Sequence, residues 1–337
     1  EEFPAPGFSG APADGNSVVL DALVNGVSAL ILRVGETGIA VGDLDRWLEG
    51  VYLELAPVRI DAGAEFGAAA EAVLALLAGA DDAKRSAMSI DLGADPLTAD
   101  LGGRSAPAVG DVVGVAGGLA GQRGVRAITV DGPAFHDRGA NAGWELAGVI
   151  AAATEYLRLL TSAGVTVVDA LHQISFRLVA DDDQFMTIAK FRAARQLWGR
   201  VAEALGHPAD GAARVHAVTS LPMMTQRDPW VNMLRTTVAV FGAGIGGADT
   251  VQVMPFDVAI PGGYPTVSTD FARRIARNTQ LLLLEESHLG RVLDAAGGSW
   301  YVEQLTETLA AQSWSHFQDI EARGGFCSAR APKADQI

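Results

Sequence analysis

Short, β-branched apolar runs punctuate this chain, with helix-like stretches between them. They are Ala29 to Val34, Pro57 to Asp61, Met88 to Leu92, Ala127 to Asp131, Ile174 to Val179, Val215 to Thr219 and Thr250 to Met254. Strands apolar on both faces and alternating with helices belong to a parallel sheet covered on each side. Seven such runs, roughly 25 to 45 residues apart, predict a (β/α)8 TIM barrel whose first strand lies at or before Glu1. A doubly wound open sheet needs the same alternation, and periodicity alone does not choose between the two.

Composition fits a large buried core: 337 residues are 49% hydrophobic and 19% charged. A formal charge of -15 argues against nucleic acid or an anionic membrane surface as partner, since both require basic patches. A polyanionic ligand such as coenzyme A would need local Lys or Arg to overcome that field. Cys327 is the only cysteine, so no intrachain disulfide forms, which fits a reducing, cytoplasmic location. No apolar run reaches the ~18 residues of a membrane helix.

Helix punctuation agrees with the strand reading. Asp181, Asp182 and Asp183 sit at a strand-to-helix junction, where carboxylates cap free N–H groups. Asp228-Pro229 is a second start signal, and Ser268 or Thr269 a third. Gly297-Gly298 breaks the chain before a helix around Leu305, Leu309 and Trp314.

Four dense blocks go beyond periodicity. They are QFMTIAKFRAARQLW from Gln184, TSLPMMTQRDPWVNMLRTT from Thr219, TDFARRIARNTQLLLLEES from Thr269 and GGSWYVE from Gly297. Together they resemble the barrel domain of the adenosylcobalamin-dependent methylmalonyl-coenzyme A mutases, in wording closest to the small, non-catalytic subunit of the bacterial two-chain enzyme. The resemblance extends more loosely back to about Asn16. It favours the barrel over the open sheet and implies a unit over residues 1–325, with 326–337 starting a linker. The barrel is expected to lack its first strand or its amino-terminal arm, and to lack a carboxy-terminal cobalamin domain. A homologous catalytic large subunit is the implied partner, and adenosylcobalamin is expected on that partner, with no cofactor or metal on this chain. The complex would interconvert (R)-methylmalonyl-coenzyme A and succinyl-coenzyme A by radical chemistry. In the alternative, this barrel is itself a competent mutase.

Two residues carry that alternative. Arg192, in KFRAAR, matches the family's arginine that grips the substrate carboxylate. At about 100° per residue it shares a helix face with Phe185, Ile188 and Ala189, so the plainer reading is a buried ion pair, with the strand-end aspartates as candidate partners. His216, in RVHAVTS, matches the family's histidine that contacts the thioester carbonyl. Arg214, Thr219 and Ser220 are kept beside it, but Val218 and Leu221 replace the family's glutamine and glycine. Further departures are Val253-Met254-Pro255, where the family has His-Thr-Asn, and Gly132 to Asp137, where it has Gly-Tyr-His-Met-Gln-Glu. The cobalt-ligating Asp-x-His-x-x-Gly signature is absent. Catalytic family members line the bore with small polar residues. These strands offer Leu30, Leu32, Ile60, Met88, Ile90, Phe176 and Leu178 instead, some of which are expected to point inward and fill the bore. Both catalytic assignments are therefore expected to be vestigial.

Other features have plainer readings. Asp61, Asp91, Asp131, Asp181 and Asp257 fall at or just after strand ends, the catalytic face of a barrel, but the plainer reading is that each caps the loop or helix that follows, and two would have to converge to support hydrolase or lyase chemistry. Gly242 to Gly247 spells GxGxxG but follows a helix, the wrong context for a dinucleotide turn. The six histidines (136, 172, 207, 216, 288, 316) show no close metal spacing, and Met223-Met224 reads as packing. Leu281 to Leu284 and Trp300-Tyr301 are candidates for partner-facing surface.

Overall fold

A computed structural model describes residues 1–5, 8–36 and 38–330. Eight parallel strands pair in sequence order: β1 (Glu2–Phe3), β2 (Leu30–Arg33), β3 (Val58–Asp61), β4 (Ile90–Ala94), β5 (Val125–Asp131), β6 (Ile174–Ala180), β7 (Arg214–Thr219) and β8 (Thr250–Gln252). A helix follows each strand: α1 (Pro12–Val24), α2 (Leu44–Trp47), α3 (Phe66–Leu77), α4 (Val109–Gly118), α5 (Ala142–Ser162), α6 (Gln184–Ala204), α7 (Val231–Ile245) and α8 (Thr269–Leu281). A further long helix, α9 (Trp300–Ala322), packs across α5 and α6. This is a (β/α)8 barrel. The expectation of a missing first strand is corrected: β1 lies one residue inside the chain, and Phe3 is fully buried.

The barrel is nearly closed. No backbone ladder joins β8 to β1 among the described residues; instead Gln252 Nε2 donates to Glu2 Oε2 at 2.9 Å. Arg273 of α8 adds a bond to the Glu2 carbonyl at 3.0 Å.

Helix starts follow the sequence signals. Asp183 caps α6 through Met186 N, Asn141 caps α5 through Trp144 N, and Ser268 caps α8 through Phe271 N, each worth about 1 kcal/mol. Asp228-Pro229 opens a turn, with Val231 N bonded to the Asp228 carbonyl, before α7 proper. Gly93 bulges β4. Its φ is +72°, and a Cβ there would lie 2.0 Å from the Ile60 carbonyl oxygen, so only glycine fits.

The packed unit also runs past residue 325. Gly325–Arg330 is helical, with Phe326 buried at 6.2 Å, edge-on, from Phe135; residues 331–337 lie outside the described residues. No described helix is long and apolar enough to cross a membrane.

Candidate functional site

Register decides which side chains enter the barrel. Val58 pairs with Leu30 and with Ile90, Ile60 with Leu32, and Phe176 with Val215, so these side chains share one face of the sheet. Phe176 meets Trp198 of α6 edge-on at 5.0 Å, which fixes that face as the outer, helix-covered one. Leu30, Leu32, Ile60, Ile90 and Leu178 are buried there, and Met88 lies just ahead of β4. The expectation that they fill the bore is therefore corrected. Their neighbours Arg59, Asp91, Arg177 and His216 point to the axis and line one cavity.

The axis is filled with charge. Asp91 Oδ1 accepts from Arg126 Nε at 2.7 Å, and Asp91 Oδ2 accepts from Arg126 Nη2 at 3.0 Å. His216 Nε2 approaches the same Oδ2 at 3.1 Å, and its Nδ1 lies 2.7 Å from Thr250 Oγ1. A carboxylate can only accept, so Nε2 carries a proton. Burial alone would raise the Asp91 carboxyl, but Arg126 and His216 overcome it and hold it well below the usual carboxylate range. Further along, Arg177 Nε donates to Asp131, which also receives Arg104 at 3.1 Å. Burial again pushes Asp131 up, and Arg177 and Arg104 win, so it too is lowered. The free space left in the cavity at the amino-terminal ends of the strands is about 30 Å³, room for a water or two.

Of the five aspartates, Asp91 is near the start of β4 rather than at its end, because that strand begins at Ile90. Asp181 accepts from Asp183 N and Thr187 Oγ1, and Asp257 from Tyr264 N; both organise loops. Asp131 does meet a second acid, Asp95, whose Oδ2 accepts the Asp131 N–H at 2.9 Å. Burial raises Asp95 despite hydrogen bonds from Thr98 and Tyr156, so the two carboxyls are pushed apart. Yet Asp95 is 4% exposed and takes bonds from Thr98 N, Thr98 Oγ1, Tyr156 OH and Asp131 N. Every lone pair is occupied, which suits a structural hub and leaves nothing for acid–base work on a ligand.

Arg192 does not reach His216. It lies on the outer side of α6, tying it to α9: Nε and Nη2 bond Asp294, Nη1 and Nη2 bond Glu303, and Nη1 also bonds Thr306 Oγ1, at 2.9 to 3.1 Å. Those bonds use all five guanidinium N–H groups. Its partners are not strand-end aspartates.

Two groups escaped sequence reasoning. Lys190, in the same KFRAAR motif, is 1% exposed and donates from Nζ to Glu145 Oε2 at 2.7 Å. Glu145, itself 0% exposed, also accepts from Val179 N at 2.9 Å, with His136 Nδ1 3.8 Å away. His136 Nε2 then meets Ser220 Oγ at 2.8 Å. The axial arginines Arg59 and Arg177 were the second group. Their signal is a charged residue flanked by apolar ones in mid-strand, Val58-Arg59-Ile60 and Phe176-Arg177-Leu178, a pattern that Asp91 and His216 share.

Most of the glycine run is helix: Gly242 to Ile245 form the last turn of α7 and only Gly246-Gly247 begin the connection to β8, while Gly242 and Gly246 let α7 approach α6 at Thr187 and Phe191. Met223 is partly buried against the core. Among the described residues no three His, Cys, Asp or Glu side chains cluster as a metal site. Leu282 and Leu284 are 58% and 48% exposed while Leu283 is buried; Trp300 is 76% exposed.

Fold and axis together define a parallel (β/α)8-barrel protein whose bore is closed by ion pairs. The chain belongs to the methylmalonyl-CoA mutase family, whose model matches residues 28–333. It is 65% identical over 337 residues to a probable methylmalonyl-CoA mutase small subunit of Mycobacterium tuberculosis, covering 100% of this chain and 54% of that one. Small subunits of Streptomyces virginiae and Propionibacterium freudenreichii subsp. shermanii match at 52% over 327 residues and 40% over 315, covering 95% and 92% of this chain and 52% and 48% of theirs. The chain thus spans about half the length of the curated relatives it matches.

Proposed function

We propose that this chain is the non-catalytic barrel of a two-chain methylmalonyl-CoA mutase, in which a homologous large subunit performs the interconversion of (R)-methylmalonyl-CoA and succinyl-CoA. The observation that carries this reading is the axis. A pantetheine arm needs a continuous channel, whereas interlocked charges cross the bore and the cavity at its amino-terminal mouth offers about 30 Å³. The two residues that would have gripped substrate are also apart and engaged, Arg192 with Asp294 and Glu303, His216 with Asp91 and Thr250. This arrangement counts against the alternative of a competent barrel.

Adenosylcobalamin, which the family implies, does not fit the described residues. It would need a nitrogen donor presented at an open mouth. His136 and His216, the histidines nearest the axis, are turned into internal hydrogen bonds. We assign the cofactor to the partner chain. Exposed Leu282, Leu284, Trp300 and Tyr301 supply an apolar surface for docking that partner or another part of the assembly.

The test is to assay the full-length protein with adenosylcobalamin and substrate, alone and with the large subunit. Turnover is expected only with the large subunit, in a complex that co-elutes on gel filtration. Substantial turnover by the lone chain overturns the proposal.

A further inference from the structure

Two arginines on the axis are left with unused donors, although the carboxylates of Asp61, Asp131 and Glu2 lie in their field. Arg59 is 9% exposed, yet it forms no ion pair within 4.0 Å among the described residues. Its one hydrogen bond is to the neutral side-chain oxygen of Gln252, at 3.5 Å. Asp91, its Cα partner in register on β4, is occupied by Arg126 and His216. Arg177, on the same cavity, spends Nε on Asp131 and makes no other hydrogen bond among the described residues. The two guanidiniums carry ten N–H donors between them, and two acceptor contacts meet them. None of their nitrogens is sealed in protein without a partner, so the unused donors open onto the cavity.

We infer that the amino-terminal mouth of this barrel is a binding site for a small monoanion of halide size, held between Arg59 and Arg177. Water would satisfy donors there but leave the repulsion between the two like charges to carboxylates that lie beyond 4.0 Å of Arg59, those of Asp61, Asp131 and Glu2. A single anion answers both demands. The space of about 30 Å³ admits an ion of that size and excludes a phosphate ester or a thioester arm. Burial first, and the neighbouring Arg177 second, pull the Arg59 pKa down to about 10, which still leaves it cationic at neutral pH. The site does not depend on whether the chain is catalytic.

The experiment uses the full-length protein crystallised or soaked in sodium bromide, with data collected at the bromine edge. An anomalous peak within hydrogen-bonding distance of both guanidiniums is expected. A cavity holding only water, with bromide confined to surface positions (an adventitious ion only), overturns the inference. In solution, exchanging gluconate for bromide at constant ionic strength should raise Tm by about 2 °C more in wild type than in Arg59→Met. Equal bromide responses in the two proteins also overturn it. If Arg59→Met does not fold, the anomalous map of the wild-type protein decides alone.

Discussion

The Lys190–Glu145 pair offers a sharp test of how this barrel is held together. Both side chains are almost wholly buried, and their 2.7 Å contact sits where α5 and α6 cover the ends of β5 and β6. Lys190→Met keeps volume but strands a carboxylate in protein, at a cost of about 3–5 kcal/mol. Glu145→Gln keeps an oxygen for the Val179 N–H and strands the ammonium, with a cost in the same range. The double variant removes both charges while the Gln oxygen still accepts from Val179 N. Its expected cost falls to about 1–2 kcal/mol, less than either single change. Urea unfolding of the three variants and the wild type, read at constant m-value, measures the cycle. If the double variant loses as much as the two singles summed, the charges act independently. If either single costs under about 1 kcal/mol, the pair is not desolvated as described.

Other outcomes follow from the same geometry. Asp91 has a folded pKa below its unfolded value of about 3.9. Its contribution is therefore complete above that value and lost as pH falls through it toward the folded pKa. Asp91→Asn should flatten the acid limb of a stability-versus-pH curve while losing about 3–5 kcal/mol at pH 7; an unchanged limb refutes the assignment. Gly93→Ala forces a Cβ against the Ile60 carbonyl at positive φ and should cost roughly 3 kcal/mol, seen as a lower thermal midpoint. Arg192→Lys keeps one charge but cannot fork to two acids. Because Asp294 and Glu303 are 52% and 38% exposed, the loss should be only about 1 kcal/mol, with faster proteolysis between α8 and α9 and no effect on the axis.

The alternation of strand and helix was legible because parallel strands buried on both faces leave apolar runs, and seven of the eight were found within a few residues. β1 was missed because two residues, Glu2 and Phe3, carry no pattern; pairing with β2 makes them a strand. The contents of the bore were misread for a related reason. A barrel strand has two buried faces, and apolar side chains such as Phe176 and Leu178 are equally consistent with either. The decisive residue is the charged one between them, Arg177, since helix packing against the outer face cannot accommodate a guanidinium. Arg192 drew attention through its motif, whereas Lys190, two residues earlier, looked like an ordinary helix cation. Only the packing of α5 against α6 reveals that it is buried, and no spacing rule links it to Glu145, 45 residues away.

The arrangement around Asp91 bears on how such a barrel can be assembled or divided. Its carboxylate lies on β4, its arginine on β5 and its imidazole on β7, so the contact spans the midpoint of the chain. Oil-filled halves of a symmetric barrel can each collapse on their own apolar surface. Here a fragment ending after β4 would carry Asp91 with neither counter-group, and a fragment beginning at β5 would carry Arg126 and His216 without Asp91. Each half would have to keep its inner face hydrated until the other arrived. Gene fragments cut between β4 and β5 should therefore stay open when expressed separately and close only on mixing, which makes this barrel a poor candidate for half-barrel exchange and an all-or-none unit in its own folding.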